Sequence, residues 1–147
     1  MIRQATCNDI KSMAKVGARI VTTTMPFFKA DTSRIEQLLK MYVSSASAKV
    51  LVSIDSNGQV AGGALVVNQP NIWAEKHNSQ IIGLFTTVVG DGVRMLDAIV
   101  KWFYTRRNSL LICYAAPIKS RLDALLLNNN FECQGTMLVR RKYHGVP

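Results

Sequence analysis

The sequence predicts one α/β domain over residues 1–147, an α+β mixed sheet that is mostly antiparallel with helices on both faces. Three observations carry this. The apolar run Ile81 to Val89 passes through Gly90-Asp91-Gly92 into an amphipathic run that starts at Val93. Asn57-Gly58 lies between two apolar runs, the strongest short hairpin signal. Ser109 to Ala116 is a continuous apolar run, the kind found in strands buried on both faces, and it follows a helical segment, as in a parallel crossover.

Taken in order, Ile2 to Thr6 reads as a short strand. Thr6 or Asn8 caps the next helix, with Asp9 favourable in its first turn. Ile10, Met13, Ala14, Val16 and Gly17 recur at helical spacing, so the helix runs to about Val21, where Thr22 to Pro26 breaks it. Asp31-Thr32-Ser33 caps a second helix carrying Ile35, Leu38, Leu39 and Tyr42. Lys49 to Asp55 and Val60 to Val67 form the hairpin; Gly62-Gly63 in the second strand marks a bulge or a close backbone approach.

A loop from Pro70 to Asn78 leads to a strand over Gln80 to Val89. The third helix, Val93 to Tyr104, presents Val93, Leu96, Ile99, Val100 and Phe103 on one face. After the strand at Ser109, Pro117 intervenes before a helix over Ser120 to Leu127, and Asn128-Asn129-Asn130 suits a left-handed C-cap. Phe131 to Tyr143 is a last strand or strand pair. The order is β-α-α-β-β-β-α-β-α-β.

A chain of 147 residues, 48% hydrophobic and 18% charged, can bury a core and is not disordered. Spanning a bilayer takes about 20 consecutive apolar residues, and no run approaches that, so no membrane partner is expected. Met1-Ile2-Arg3-Gln4 lacks the long apolar core of a signal peptide, and a cytoplasmic setting is expected. Cys7, Cys113 and Cys133 have no metal-ligand spacing; they read as reduced thiols, mostly buried, and no metal is expected. The net charge of +9 favours anionic partners: nucleotide cofactors, nucleic acid or acidic surfaces.

A strand that turns through glycines into a helix presents free backbone N–H groups at a helix N-terminus. Such a turn is either an anion site, usually for phosphate, or plain punctuation.

The element order and this loop resemble the GCN5-related N-acetyltransferase family over nearly the whole chain. Ile2-Arg3-Gln4-Ala5-Thr6-Cys7-Asn8-Asp9 looks like its usual start, Ile-Arg-x-Ala-Thr-x-x-Asp. Thr87-Val88-Val89-Gly90-Asp91-Gly92 fills the frame of its Gln/Arg-x-x-Gly-x-Gly/Ala loop, with Thr87 at the Gln/Arg place and the loop shortened. The resemblance implies acetyl-CoA as cofactor, held by Thr86, Thr87, Val88, Gly90, Asp91, Gly92, Val93 and Arg94. Arg94 would replace part of the charge missing at Thr87. Leu126 stands at the place of the tyrosine that protonates the departing thiolate in many members.

Acyl transfer from a thioester requires a held cofactor, a polarised carbonyl, a proton removed from the amine and a proton given to the thiolate. The resemblance assigns the first two to backbone amides in a gap between the fourth and fifth strands. Tyr114 is the candidate general acid, and a core tyrosine the alternative. No general base is identified; Glu75 and His77 lie on the loop expected to rim the acceptor site. Phe27, Phe28 and Trp73 fall on segments that border the acceptor pocket in this family, with Phe28 and Trp73 the candidate substrate contacts.

Two readings follow. One is an acetyl-CoA-dependent N-acyltransferase acting on a primary amine of a small molecule, a modified base or an amino-acid end. The other is a catalytically worn protein on this fold that binds nucleic acid or a protein partner. A homodimer is compatible with either.

Overall fold

The computed structural model describes residues 1–24, 29–70, 75–108, 110–113 and 121–132. Strands β1 (Ile2–Gln4), β2 (Ala48–Ile54), β3 (Val60–Gln69), β4 (Asn78–Thr86) and β5 (Leu111–Cys113) form one sheet in sequence order. Neighbours are antiparallel except β4 and β5, which are parallel. Helices α1 (Ile10–Thr24) and α2 (Thr32–Tyr42) precede β2; α3 (Asp91–Tyr104) links β4 to β5, and α4 (Arg121–Leu127) follows.

The alternation of β2 divides the core in two. Val50, Val52 and Ile54 point to one face, where they meet Leu65 and Val67 of β3, Ile10, Met13 and Ala14 of α1, and Leu39 of α2. Leu51 points to the other, with Ala64, Val66 and Ile81, and is covered by Met95, Leu96 and Ile99 of α3 and Leu126 of α4. The sheet therefore carries helices on both faces, as the sequence predicts.

Several boundaries differ from expectation, each for a local reason. The first strand stops at Gln4 rather than Thr6, because Thr6 and Asp9 close a 3₁₀ turn over Cys7–Asp9. The first helix continues past Val21 through Thr24; Thr23 Oγ1 donates to the Arg19 carbonyl at 2.8 Å, so its hydroxyl is satisfied inside the helix instead of breaking it. The fourth strand ends at Thr86, not Val89, and α3 begins at Asp91, not Val93. Asp31 does cap α2, accepting from the amides of Ser33 and Arg34, and Asn130 takes the left-handed conformation with φ 63°. Cys7 is exposed, against the expectation of mostly buried thiols, because it sits in the 3₁₀ turn at the sheet edge; Cys113 is half-buried. The expected strand or strand pair from Phe131 to Tyr143 lies outside the described residues beyond Glu132. No described helix is long and apolar enough to cross a membrane.

Candidate functional site

The loop from β4 to α3 consists of Thr87, Val88, Val89 and Gly90. It is a tight turn built from its own polar groups. Thr87 donates its amide to the Ala61 carbonyl at 3.0 Å, extending the ladder one step beyond β4. The Val88 amide donates to Thr86 Oγ1 at 3.0 Å, and the Asp91 amide to the Val88 carbonyl at 3.3 Å. Gly90 turns the chain into α3 with φ 83°, a left-handed conformation that side chains disfavour.

The loop and first helical turn then leave a set of donors unused. Among the described residues, the amides of Val89, Gly90, Gly92 and Val93 find no protein acceptor, while Arg94 N already bonds the Gly90 carbonyl at 3.3 Å. Val89 and Val93 are exposed, so this end of α3 faces solvent. Partial positive charge from the helix dipole concentrates there.

Beneath the loop lies a buried polar anchor. Asp91 has no solvent exposure; its Oδ2 accepts from Ser53 Oγ on β2 at 2.5 Å, and its Oδ1 accepts from Arg94 Nη1 at 3.0 Å. The N-terminal ammonium lies 3.7 Å from Oδ2. Thr86 Oγ1 donates to Ser53 Oγ at 3.3 Å, so hydrogen bonds run from the Val88 amide through Thr86 and Ser53 to the carboxylate.

The eight expected cofactor residues thus separate by position. Gly90, Gly92, Val93 and Arg94 surround the unused donors. Thr86, Thr87 and Val88 build the loop, and the Asp91 side chain turns inward. Packing does not demand glycine at 92: a Cβ there would sit 3.7 Å from Leu125 Cδ2 and 3.8 Å from Thr86 Cγ2, at ordinary contact distance. Ser53 lies outside every motif the sequence offers. The available signal for Ser53 was a hydroxyl inside an otherwise apolar strand.

A second feature lies along β4. Its pairing with β5 covers Ser79 to Ile81. On the other side Val66 faces Ile81 while Leu65 faces Gly83, so Ile82 is an extra, bulged residue where the described pairing to β5 stops. Leu126 is buried in the α3-side core, with no polar atom to offer chemistry. Glu75 and His77 are exposed loop residues. Tyr114, Phe27, Phe28 and Trp73 lie outside the described residues.

At the far end of α3 is a shallow groove of about 450 Å³, lined among others by Arg3, Lys49, Leu51, Lys101 and Trp102. Arg106 stacks over the Trp102 ring with its guanidinium carbon 4.8 Å from the centroid.

No family profile matches the sequence, and no curated protein is similar to it in sequence. Solved structures are similar in fold. The aminoglycoside antibiotic 6'-N-acetyltransferase AAC(6')-Ih from Acinetobacter baumannii superposes with a TM-score of 0.68 at 11% identity, over 99% of both chains. Ribosomal-protein-alanine N-acetyltransferase from Brucella melitensis biovar Abortus 2308 gives 0.67 at 15% identity, over 97% of this chain and 99% of the other. A protein from Clostridium difficile 630 described as a possible acetyltransferase gives 0.73 at 14%, over 98% of each. At these identities the similarity establishes the fold alone: the chain is built like these proteins.

Proposed function

We propose that the protein is an acetyl-CoA-dependent N-acyltransferase that moves an acetyl group to the primary amine of a small molecule or a modified base. The observation that carries this is the cluster of unused amides at Val89, Gly90, Gly92 and Val93, set on an acetyltransferase fold at the end of the strand that leads into α3. Unpaired N–H donors at a helix N-terminus suit a pyrophosphate. The donor set fits coenzyme A, although only four residues separate β4 from α3 and no Gln or Arg stands at Thr87.

Acetyl-CoA, when bound, supplies a thioester already activated toward amines. Gly92 and Val93 would hold the phosphates through their amides, and Arg94 would add charge. The stretch of β4 beyond the Ile82 bulge would orient the acyl arm through its backbone groups. Transfer from that thioester would require a proton to leave the amine and one to reach the departing sulfur. Leu126 is excluded as the donor, which leaves the Tyr114 hydroxyl or water. Phe28 and Trp73 are assigned to the acceptor side. A cytoplasmic setting suits the exposed Cys7 thiol.

Coenzyme A at a concentration far above its dissociation constant is expected to raise Tm by several degrees. Val93→Asp is the discriminating variant. An acidic residue suits the first turn of a helix, so folding survives, but its charge lies among the phosphate donors. Loss of the thermal shift in a folded Val93→Asp supports the site; no shift in the wild type at millimolar cofactor overturns it. Tyr114→Phe is expected to reduce turnover about 10²–10⁴-fold with cofactor affinity unchanged if the hydroxyl is the acid, and unchanged turnover assigns the proton to water.

One observation favours the second reading, a nucleic-acid binder. The groove at the far end of α3 combines Lys49 and Lys101 with an indole, a pairing suited to phosphate and base.

A further inference from the structure

We infer that Ser53, a residue of β2 with no place in the loop itself, is a positioning residue for the phosphate site, acting through Asp91 on Arg94. The inference rests on the cofactor reading above and adds to it a component that the loop sequence does not contain.

The two oxygens of the Asp91 carboxylate have different tasks. Oδ2 is taken by the Ser53 hydroxyl at 2.5 Å, and Oδ1 by Arg94 Nη1 at 3.0 Å. Both Ser53 and Asp91 are fully buried, so water is not there to substitute for either partner. Ser53 therefore fixes the rotation of the carboxylate, and the carboxylate fixes one amine of the guanidinium. The other amine is carried over the loop: Arg94 Nη2 lies 3.8 Å from the position a Cβ on Gly90 would occupy. The Arg94 side chain is otherwise two-thirds exposed and would lose rotamer freedom on binding an anion. Anchoring it in advance removes part of that cost.

Charge gives the arrangement a second purpose. A carboxylate within one turn of a pyrophosphate repels it unless neutralised. Turned inward onto Ser53 and paired with Arg94 and, at 3.7 Å, with the N-terminal ammonium, Asp91 is neutralised instead of presenting an open negative charge. Thr86 Oγ1, which donates to Ser53 Oγ at 3.3 Å while accepting the Val88 amide, ties the same network to the loop backbone.

The test is a double-mutant cycle on ligand affinity with Ser53→Ala, Arg94→Ala and the double variant, titrated with coenzyme A, inorganic pyrophosphate and pantetheine, which lacks the diphosphate. Ser53→Ala is expected to weaken coenzyme A and pyrophosphate about tenfold, leave pantetheine unaffected, and cost little more when Arg94 is already absent. Asp91→Asn, which retains a hydrogen-bond acceptor but loses the charge, is expected to fall between wild type and Arg94→Ala. Equal weakening of all three ligands, or losses at Ser53 and Arg94 that simply add, overturns the positioning role while leaving the cofactor reading standing. Non-additive loss of pyrophosphate in a protein that does not bind coenzyme A supports the positioning role and overturns the cofactor reading. Absence of binding to all three overturns both.

Discussion

Arg3 and Asp9 show how a short sequence motif becomes a structural clasp. Arg3 Nη1 and Nη2 donate to the two oxygens of Asp9 at 2.7 and 2.8 Å, and the Thr6 amide and hydroxyl donate to Oδ2 at 2.7 and 2.8 Å. The Arg3 guanidinium first, then the Thr6 donors, hold the Asp9 carboxyl far below the usual carboxylate range, against a desolvation effect of opposite sign. A depressed folded pKa stabilises above the unfolded value, about 3.9, and the stabilisation is lost as pH falls toward the folded pKa. Asp9→Asn is therefore expected to cost about 1–3 kcal/mol at neutral pH. The gap to wild type should close when denaturant melts are repeated at successively lower pH below about 4. A gap independent of pH would place the effect elsewhere. The residues of this clasp were legible in the sequence as the opening pattern, and so was Asp31 as a cap, because both act through neighbours in the chain. Ser53 was not, because its partner Asp91 is 38 positions away and nothing in local spacing announces it.

At the scale of elements, the hairpin and the central crossover were legible because their signals are local: Asn57-Gly58 with Gly58 at φ 76°, and the apolar-to-amphipathic switch at Gly90. The end of β4 was not, because Val88 and Val89 are as apolar as the strand before them; only the hydrogen bonds of Thr86 and Thr87 show where pairing stops. Gly62 explains why β3 and β4 approach so closely just before the loop. A Cβ there would press on the Phe85 carbonyl oxygen and lie 2.5 Å from Thr86 Cα, both backbone atoms with no freedom to move aside. Gly62→Ala is expected to lower stability by about 1–3 kcal/mol, read from urea midpoints, and to weaken cofactor binding by shifting Thr86. An alanine variant with wild-type stability and affinity would show that the strands are not held at that distance.

For the whole molecule, the sheet with helices on both faces was readable from element order, and the acceptor was not, since residues around an acceptor pocket come from separate loops and share no spacing. The net charge of +9 was equally open to a solvated surface and to a polyanion. The groove at Lys49, Lys101 and Trp102 makes the question specific. If single-stranded nucleic acid lies there, the logarithm of its affinity should fall with that of salt at a slope of about 0.7 per phosphate contact, and Trp102→Ala should weaken binding without changing that slope. Weak binding that ignores salt would leave the charge to solvation.

The bond between Ser53 and Asp91 joins parts of the chain 38 positions apart, which bears on folding. Contacts between distant parts of a chain form late, because closing the intervening loop costs entropy before any contact repays it. A refolding chain is therefore expected to acquire its hairpin and helices before β2 captures the head of α3. Recognition of coenzyme A should then appear only in the slowest refolding phase, after most of the helical signal has returned. The ligand becomes a reporter of the finished molecule: a partly folded chain would carry every residue of the loop and still have no Arg94 in place to meet a phosphate.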